Sequence, residues 1–197
     1  MKDTISENRA GLADEEIVRR VLAGDEDLFE ALVRRYQSRV CSHVARMVGS
    51  REDALDLAQE IFLKVFQALD RYDVRYKFST WLFRIAGNAA IDQLRKRRLR
   101  TVPMETADQD GKVSSPEYKS HDLDPYAVVR NTERGNAMAQ AIDDLPAEFR
   151  ELITLRHFTG LSYEEIARVK RMPLGTVKNK LFRARAVLKE RLSGELS

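Results

Sequence analysis

Residues 161–189, LSYEEIARVKRMPLGTVKNKLFRARAVLK, hold two helical patterns separated by a short turn. Ser162 and Glu165 have the S-x-x-E spacing of a capping box, which predicts the start of the first helix. Residues 172–175 contain a proline and a glycine and predict the turn. Thr176 is then the expected N-cap of the final helix. A short helix, a turn and a second helix in this order are typical of a helix-turn-helix.

The final helix is predicted to have an apolar face and a polar face, because its residues rotate by about 100° each. The apolar side contains Val177, Leu181, Ala184 and Leu188. The polar side and its borders contain Thr176, Lys178, Asn179, Lys180, Phe182 and Arg183. Lys and Arg donate to guanine or phosphate, Asn can pair with adenine, and an exposed Phe can contact a thymine methyl group. This face is therefore a candidate reader of the DNA major groove.

Charge in this region supports the same interpretation. Residues 162–192 contain nine Lys or Arg and three Glu, a net charge of +6, whereas the whole chain has a net charge of only +3. A concentrated positive charge is the electrostatic signature of a DNA-binding surface. The alternative is a cationic helix face that is simply solvated.

The rest of the chain is also predicted to be helical, so the fold class is all-α. Apolar residues recur at helical spacing over 14–48, 52–69 and 79–98, and again from about 127 to 192. Residues 23–25 divide the first region into two helices, with Asp25 or Asp27 as the N-cap. Between 101 and 133 there are seven acidic and three basic residues, with several Pro and Ser, which predicts a flexible acidic linker. We therefore predict two small helical domains, 1–100 and 131–197, joined by a linker at 101–130.

Composition argues against several classes of protein. The single cysteine, Cys41, excludes an intrachain disulfide, and no apolar run approaches the ~20 residues that span a bilayer. The three histidines lie in different segments, and Cys41 and His43 lack a second pair at metal-ligand spacing. No phosphate-binding glycine loop or nucleophile motif is present. We expect a cytoplasmic protein that is not an enzyme, with no metal, no cofactor and no insertion into the membrane.

The predicted first domain offers a second candidate nucleic-acid surface. Residues 89–100 contain five bases and one acid, more than a helix C-terminus needs to offset its dipole, which favours phosphate contacts. Residues 71–84 interleave aromatic and basic side chains, a combination that suits unpaired bases. Trp81 is expected in the core because its helical neighbours are apolar. The candidate contacts are Arg71, Tyr72, Tyr76, Lys77, Arg95, Arg97 and Arg98.

A third candidate surface is acidic. Asp56, Gln59 and Glu60 lie at i, i+3 and i+4, and therefore on one face of a predicted helix whose other side is apolar. On physical grounds alone, a solvated acidic face is the preferred interpretation.

Three stretches in order resemble the extracytoplasmic-function (ECF) sigma factors of bacterial RNA polymerase. DALDLAQEIFLKVFQAL (53–69) resembles the helix that binds the polymerase clamp, with its D-x-x-Q-E-x-F pattern. KFSTWLFRIAGNAAIDQLRKRR (77–98) resembles the segment that recognises and melts the −10 element, and 161–189 resembles the helix-turn-helix that reads the −35 element. The loop at 73–77 lacks the family's frequent glycine, and Lys178 and Asn179 replace its commoner Arg and Ser.

The resemblance implies a transcription initiation factor and assigns roles to residues. Asp56, Gln59 and Glu60 match clamp-binding positions, and Asn88 matches a position that holds a flipped-out −10 base. The implied partners are core RNA polymerase, through its β′ clamp and β flap, promoter DNA, and an anti-sigma factor, which is membrane-anchored in some systems. The implied role is a stress or envelope response. A repressor or activator would share the helix-turn-helix but would not need the acidic helix.

Overall fold

The computed structural model describes residues 11–100 and 133–195, which contain eight α-helices and no β-strand. The helices are α1 (Asp14–Leu22), α2 (Phe29–Val48), α3 (Arg51–Gln67), α4 (Phe78–Arg100), α5 (Glu133–Asp143), α6 (Ala147–His157), α7 (Tyr163–Lys170) and α8 (Leu174–Glu195). Single 3₁₀ turns occupy Glu26–Leu28 and Leu69–Arg71. The all-α prediction is confirmed. The predicted linker at 101–130 lies outside the described residues, as does the expected start of helix near 127.

The first half is built around α2, which packs against α1, α3 and α4. Its apolar face is fully buried because Leu32, Val40 and Val44 recur at helical spacing and meet the apolar faces of α3 and α4. Trp81 is 7% exposed, so its predicted place in the core is confirmed. The core of this half therefore follows the periodicity in the sequence.

Two helix starts differ from the sequence prediction. Neither Asp25 nor Asp27 caps α2, because the 3₁₀ turn at Glu26–Leu28 intervenes and α2 begins at Phe29. The Asp25 carboxylate instead pairs with Arg20 at 3.3 Å. The start of α3 is capped by Ser50, whose hydroxyl accepts a hydrogen bond from the Asp53 N–H at 3.3 Å.

The second half is a helix-turn-helix in which α8 packs against α5, α6 and α7. The capping box is present: Ser162 accepts from the Glu165 N–H, and the Glu165 carboxylate accepts from the Ser162 N–H. Thr176 is not the N-cap of the final helix. Arg171 has φ of 50° and ends α7, and the Pro173 carbonyl already accepts from the Val177 N–H at 3.2 Å. Helical hydrogen bonding therefore starts earlier than predicted, and α8 begins at Leu174.

The two halves pack against each other in the described structure. Helices α2 and α4 of the first half contact α6 and α7 of the second. Buried apolar side chains from both halves form one continuous cluster. The sequence did not predict this contact, because it pairs segments far apart in the chain.

Candidate DNA and polymerase interfaces

Helix α8 separates a buried face from an outward face, as the sequence predicted. Val177, Leu181 and Ala184 are fully buried against the neighbouring helices. On the opposite side Phe182 is 73% exposed, an unusual position for an aromatic ring with no role on the surface. The remaining outward residues, Lys178, Asn179 and Arg183, are also exposed. This face is continuous, cationic and open.

The bases of α8 divide into two groups. Three of them contact the second half itself: Lys180 pairs with Glu148, Arg185 donates to the Tyr163 hydroxyl at 3.0 Å, and Arg191 pairs with Asp144 at 3.3 Å. In the described part of the chain, Lys178, Arg183 and Lys189 form no ion pair and no side-chain hydrogen bond. The sequence could not show which bases of α8 contact the protein itself and which do not. The structure leaves Lys178 and Arg183 available for an external anion, while Lys180 is partly engaged and Thr176 is half-buried.

The aromatic-basic loop before α4, residues 71–77, is stabilised by one of its own aromatic side chains. Tyr72 is only 8% exposed, and its ring packs on Phe78 and Trp81 with centroids 5.6 and 5.5 Å away. Its hydroxyl donates to the Tyr76 carbonyl at 2.6 Å, and burial raises its pKa to about 12. The expectation that Tyr72 is a surface contact is therefore corrected, because its aromatic neighbours draw the ring into the core. Arg71 remains on the surface.

The other two loop residues are exposed but contact the second half. The ammonium of Lys77 lies 2.9 Å from the carboxylate of Glu165, and the guanidinium of Arg168 lies 5.5 Å from the centre of the Tyr76 ring. Although partial burial opposes the shift, hydrogen bonds from Ser162 and Lys77 lower the pKa of Glu165. The carboxylate of Glu165 therefore stays charged and keeps its ion pair with Lys77.

The candidate residues of α4 differ in whether their side chains are available to DNA. Asn88 is exposed on the outer side of the helix. Arg95 is exposed beside Asp92 at 3.6 Å, whereas Arg97 donates to the Val48 carbonyl at 3.1 Å and so helps to close the C-terminus of α2. The side chain of Arg98 lies outside the described residues. Arg97 therefore has a structural role at the end of a neighbouring helix, a role that the sequence did not predict.

The outward face of α3 carries Asp56, Gln59 and Glu60, all exposed. Sequence reasoning missed two leucines on the same face: Leu55 is 43% exposed and Leu63 is 59% exposed. Leu55, Gln59 and Leu63 follow one another at i, i+4 and i+8, a spacing that could have revealed them. A surface with apolar residues flanked by carboxylates suits a protein partner better than water or DNA.

The described residues, 11–100 and 133–195, hold neither a metal-binding cluster nor a membrane-spanning helix. No group of three or more His, Cys, Asp or Glu is arranged to hold a metal ion there. No described helix is both long and apolar enough to cross a membrane.

Family models match both halves of the chain. The Sigma-70 region 2 model matches residues 32–100, which include the outward face of α3 and all of α4. The Sigma-70, region 4 model matches residues 135–188, which include the helix-turn-helix.

Relatives and solved structures agree with these matches. The chain is 38% identical over 179 residues to the ECF RNA polymerase sigma-E factor of Escherichia coli K12, covering 90% of this chain and 93% of that protein. It is 36% identical over 180 residues to the RNA polymerase sigma-H factor of Pseudomonas aeruginosa, covering 91% and 93%. The fold matches RpoE of Bartonella quintana, solved with the anti-sigma factor NepR, with a TM-score of 0.62, 26% identity and coverage of 84% and 96%. The chain therefore belongs to the ECF sigma factors of RNA polymerase.

Proposed function

We propose that this sigma factor binds core RNA polymerase through α3 and reads promoter DNA through α4, its preceding loop and α8. The observation that carries the proposal is the outward face of α8. It combines an exposed Phe182 with Lys178 and Arg183, which form no ion pair in the described structure. A helix of 22 residues is about 33 Å long and fits a major groove about 12 Å wide.

The −10 element is proposed to meet the first half. Asn88 and the exposed loop residues Arg71, Tyr76 and Lys77 lie where a ring can stack on an unpaired base and cations can hold its phosphates. Unstacking a base costs a few kcal/mol, which binding energy from the rest of the complex offsets. Tyr72 supports this loop through its hydrogen bond to the Tyr76 carbonyl.

The direct test is transcription with purified core RNA polymerase on a library of genomic fragments. We expect new, discrete start sites that share two short upstream elements. Protection of duplex DNA by the protein alone, without binding to core polymerase, would instead identify an ordinary helix-turn-helix regulator.

The double variant Gln59→Ala with Glu60→Ala is expected to weaken binding to core polymerase without unfolding the protein. Both side chains are exposed, and truncating a polar side chain on the surface usually changes stability by less than about 0.5 kcal/mol. The matched control is Glu52→Ala with Gln67→Ala, which removes the same two groups from exposed ends of α3. Titration of labelled core polymerase measures both, and equal affinities for the two double variants would contradict the proposed surface.

The variants Lys178→Ala and Arg183→Ala are each expected to weaken binding of the holoenzyme to its promoter by about 1–3 kcal/mol if the contact is to a base. Lys180→Ala removes the same charge from the same helix but mainly breaks an ion pair with Glu148, so its effect is expected to be smaller. The test compares the promoter affinities of the three variants at one fixed salt concentration. If Lys180→Ala is the most damaging variant, the reading face of α8 is misplaced.

Regulation is proposed to come from an anti-sigma protein, because the similar RpoE was solved with the anti-sigma factor NepR. We propose that the protein acts in the cytoplasm, where polymerase and the chromosome lie, as part of a stress or envelope response. Capture from cells grown with and without envelope stress, using the purified chain as bait, would identify the partner.

A further inference from the structure

The tip of the loop before α4 is a tight turn over residues 73–76. The Tyr76 N–H donates to the Asp73 carbonyl at 3.0 Å and closes the turn. The Asp73 carboxylate also accepts from the Arg75 N–H at 3.0 Å, which is the hydrogen bond of an Asx turn. Among the described residues other than glycine, a positive φ occurs only at Arg171, so this turn does not require the glycine that the family often has here. Its shape is set by the Asp73 side chain as well as by the backbone.

The same carboxylate binds the side chain of Arg75. Arg75 Nε donates to both carboxylate oxygens of Asp73, at 2.9 and 3.0 Å, and Arg75 Nη2 donates to Asp73 Oδ2 at 2.6 Å. Hydrogen bonds from the guanidinium, followed by the one from the Arg75 N–H, lower the pKa of Asp73, so its carboxylate stays charged. Within residues 11–100 and 133–195, neither side chain forms an ion pair with any other residue. The pair is therefore a property of the loop alone.

This pair changes which cations of the loop are available to a phosphate. The Arg75 side chain is 80% exposed, but its charge is offset by a carboxylate two residues away. Arg71 is also exposed and, in the described part of the chain, has no ionic partner. The loop therefore has an available cation at its start, whereas the cation at its tip is paired.

The side chain that projects from the tip is apolar. Val74 lies between the paired residues and is 63% exposed, and Tyr76 beside it is 44% exposed. Tyr72 supports the tip from below, because its buried ring carries the hydroxyl that donates to the Tyr76 carbonyl at 2.6 Å. The tip thus presents a branched aliphatic group next to an aromatic ring, with its guanidinium occupied.

Such a surface is suited to one feature of one base. A valine side chain neither donates nor accepts hydrogen bonds, so it can distinguish bases only by apolar contact and shape. Thymine is the base that carries a methyl group, and apolar side chains recognise thymine by contact with that group. Stacking on a ring such as that of Tyr76 tolerates every base and adds affinity without this preference.

We propose that Val74 is a specificity-determining residue that contacts the C5 methyl group of a thymine in the single-stranded −10 element. Asp73 is a positioning residue, which fixes the turn that presents Val74 and holds Arg75 away from the phosphates. This inference rests on the proposed function, because it names the base that the loop would read there. Contacts from unpaired cations to phosphates would supply affinity that does not depend on sequence.

The first experiment selects single strands with the holoenzyme from an oligonucleotide library that is randomised over a short segment between fixed flanks. We expect the original protein to enrich thymine several-fold at one position, and Val74→Ala to lose most of that enrichment. The matched control is Leu22→Ala, which truncates another exposed aliphatic side chain of the same half and should leave the enrichment unchanged. Equal enrichment by the original protein and Val74→Ala would overturn the inference and leave the proposed function standing.

Two further outcomes of the selection are informative. If the original protein enriched no base at any position, both the inference and the proposed −10 contact would be overturned. If Val74→Ala weakened binding to core polymerase but kept the thymine enrichment, Val74 would belong to a protein interface, which would overturn its role in reading DNA.

The second experiment isolates the methyl group. The selected strand is compared with a copy in which deoxyuridine replaces the enriched thymine, a change that removes only the C5 methyl. The holoenzyme is expected to bind the thymine strand roughly fourfold more tightly, the ratio for about one buried methyl group. This ratio should fall towards one for Val74→Ala, and a ratio unchanged by the substitution would overturn the contact.

Variants of Asp73 test the positioning role. Asp73→Ala releases Arg75, so we expect a smaller preference for thymine over deoxyuridine together with tighter binding to every strand. The slope of log affinity against log salt should steepen by about 0.7, the value for one added phosphate contact on a single strand. Asp73→Asn keeps an oxygen that can accept from the Arg75 N–H, and should therefore retain more of the thymine preference than Asp73→Ala does.

The double variant Asp73→Ala with Arg75→Ala is the control for the released cation. It lacks the guanidinium, so its salt slope should return to that of the original protein while the thymine preference stays reduced. An unchanged slope and an unchanged preference in Asp73→Ala would show that Asp73 does not position the tip.

Discussion

Leu181→Ala is expected to lower the free energy of unfolding of the second half by about 2–5 kcal/mol, the range for removing a buried leucine side chain. Leu181 is fully buried on the inner face of α8, which packs on α5, α6 and α7. The cost combines lost apolar burial with the cavity that remains. A loss of this size is a large part of the stability of a small domain.

The measurement is urea unfolding followed by far-ultraviolet circular dichroism, together with binding to a −35 element by the holoenzyme. Leu181→Met nearly conserves volume and should cost less than about 1.5 kcal/mol, which makes it the matched control. If the alanine and methionine variants were equally stable, Leu181 would not lie in the core and the register of α8 would be wrong.

Acidification is expected to destabilise the protein through His43. The ring is fully buried against Phe83, and burial, followed by the nearby charges of Arg46 and Lys170, lowers its pKa from 6.5 to about 3. Between these values the unfolded chain binds a proton that the folded chain does not. The stability contributed by neutral His43 is therefore complete well above pH 6.5, and it is lost as the pH falls through 6.5 towards 3.

The size of this effect follows from linkage. Each pH unit inside that window costs somewhat more than about 1 kcal/mol, so two units below 6.5 the loss reaches roughly 2 to 3 kcal/mol. Other groups also titrate there, and burial raises the pKa of Glu151, so the comparison must be with a variant that lacks only the imidazole.

His43→Leu is that variant. The fluorescence of Trp81, the single tryptophan, reports on the half that carries residue 43. We expect the difference in free energy of unfolding between the two proteins to change by roughly 2 kcal/mol between pH 6.5 and 4.5. His157→Gln alters an exposed histidine in the other half, whose pKa is also lowered, by burial and by the charges of Arg185 and Arg156. We expect it to change the slope by less than His43→Leu does. Parallel pH curves for the original protein and His43→Leu would show that His43 is not held neutral by the fold.

Local signals predicted much of the candidate site. The capping box at Ser162 and Glu165 and the outward face of α8 depend only on residue spacing along one helix, so the sequence was sufficient. Tyr72 was misplaced because its burial depends on Phe78 and Trp81, whose positions follow from how the loop returns onto α4. Lys180 and Arg97 likewise looked available until the fold brought Glu148 and the Val48 carbonyl to them.

The sequence by itself determined the eight-helix pattern of the described residues, the family and the order of the three surfaces, because helical periodicity and caps act over a few residues. The tertiary structure alone decided which cations remain available, that His43 and Glu151 are buried, and that Gly87 admits a carboxylate from the other half. These features join residues tens of positions apart, and their energies come from burial and charge pairing, which spacing along the chain does not encode.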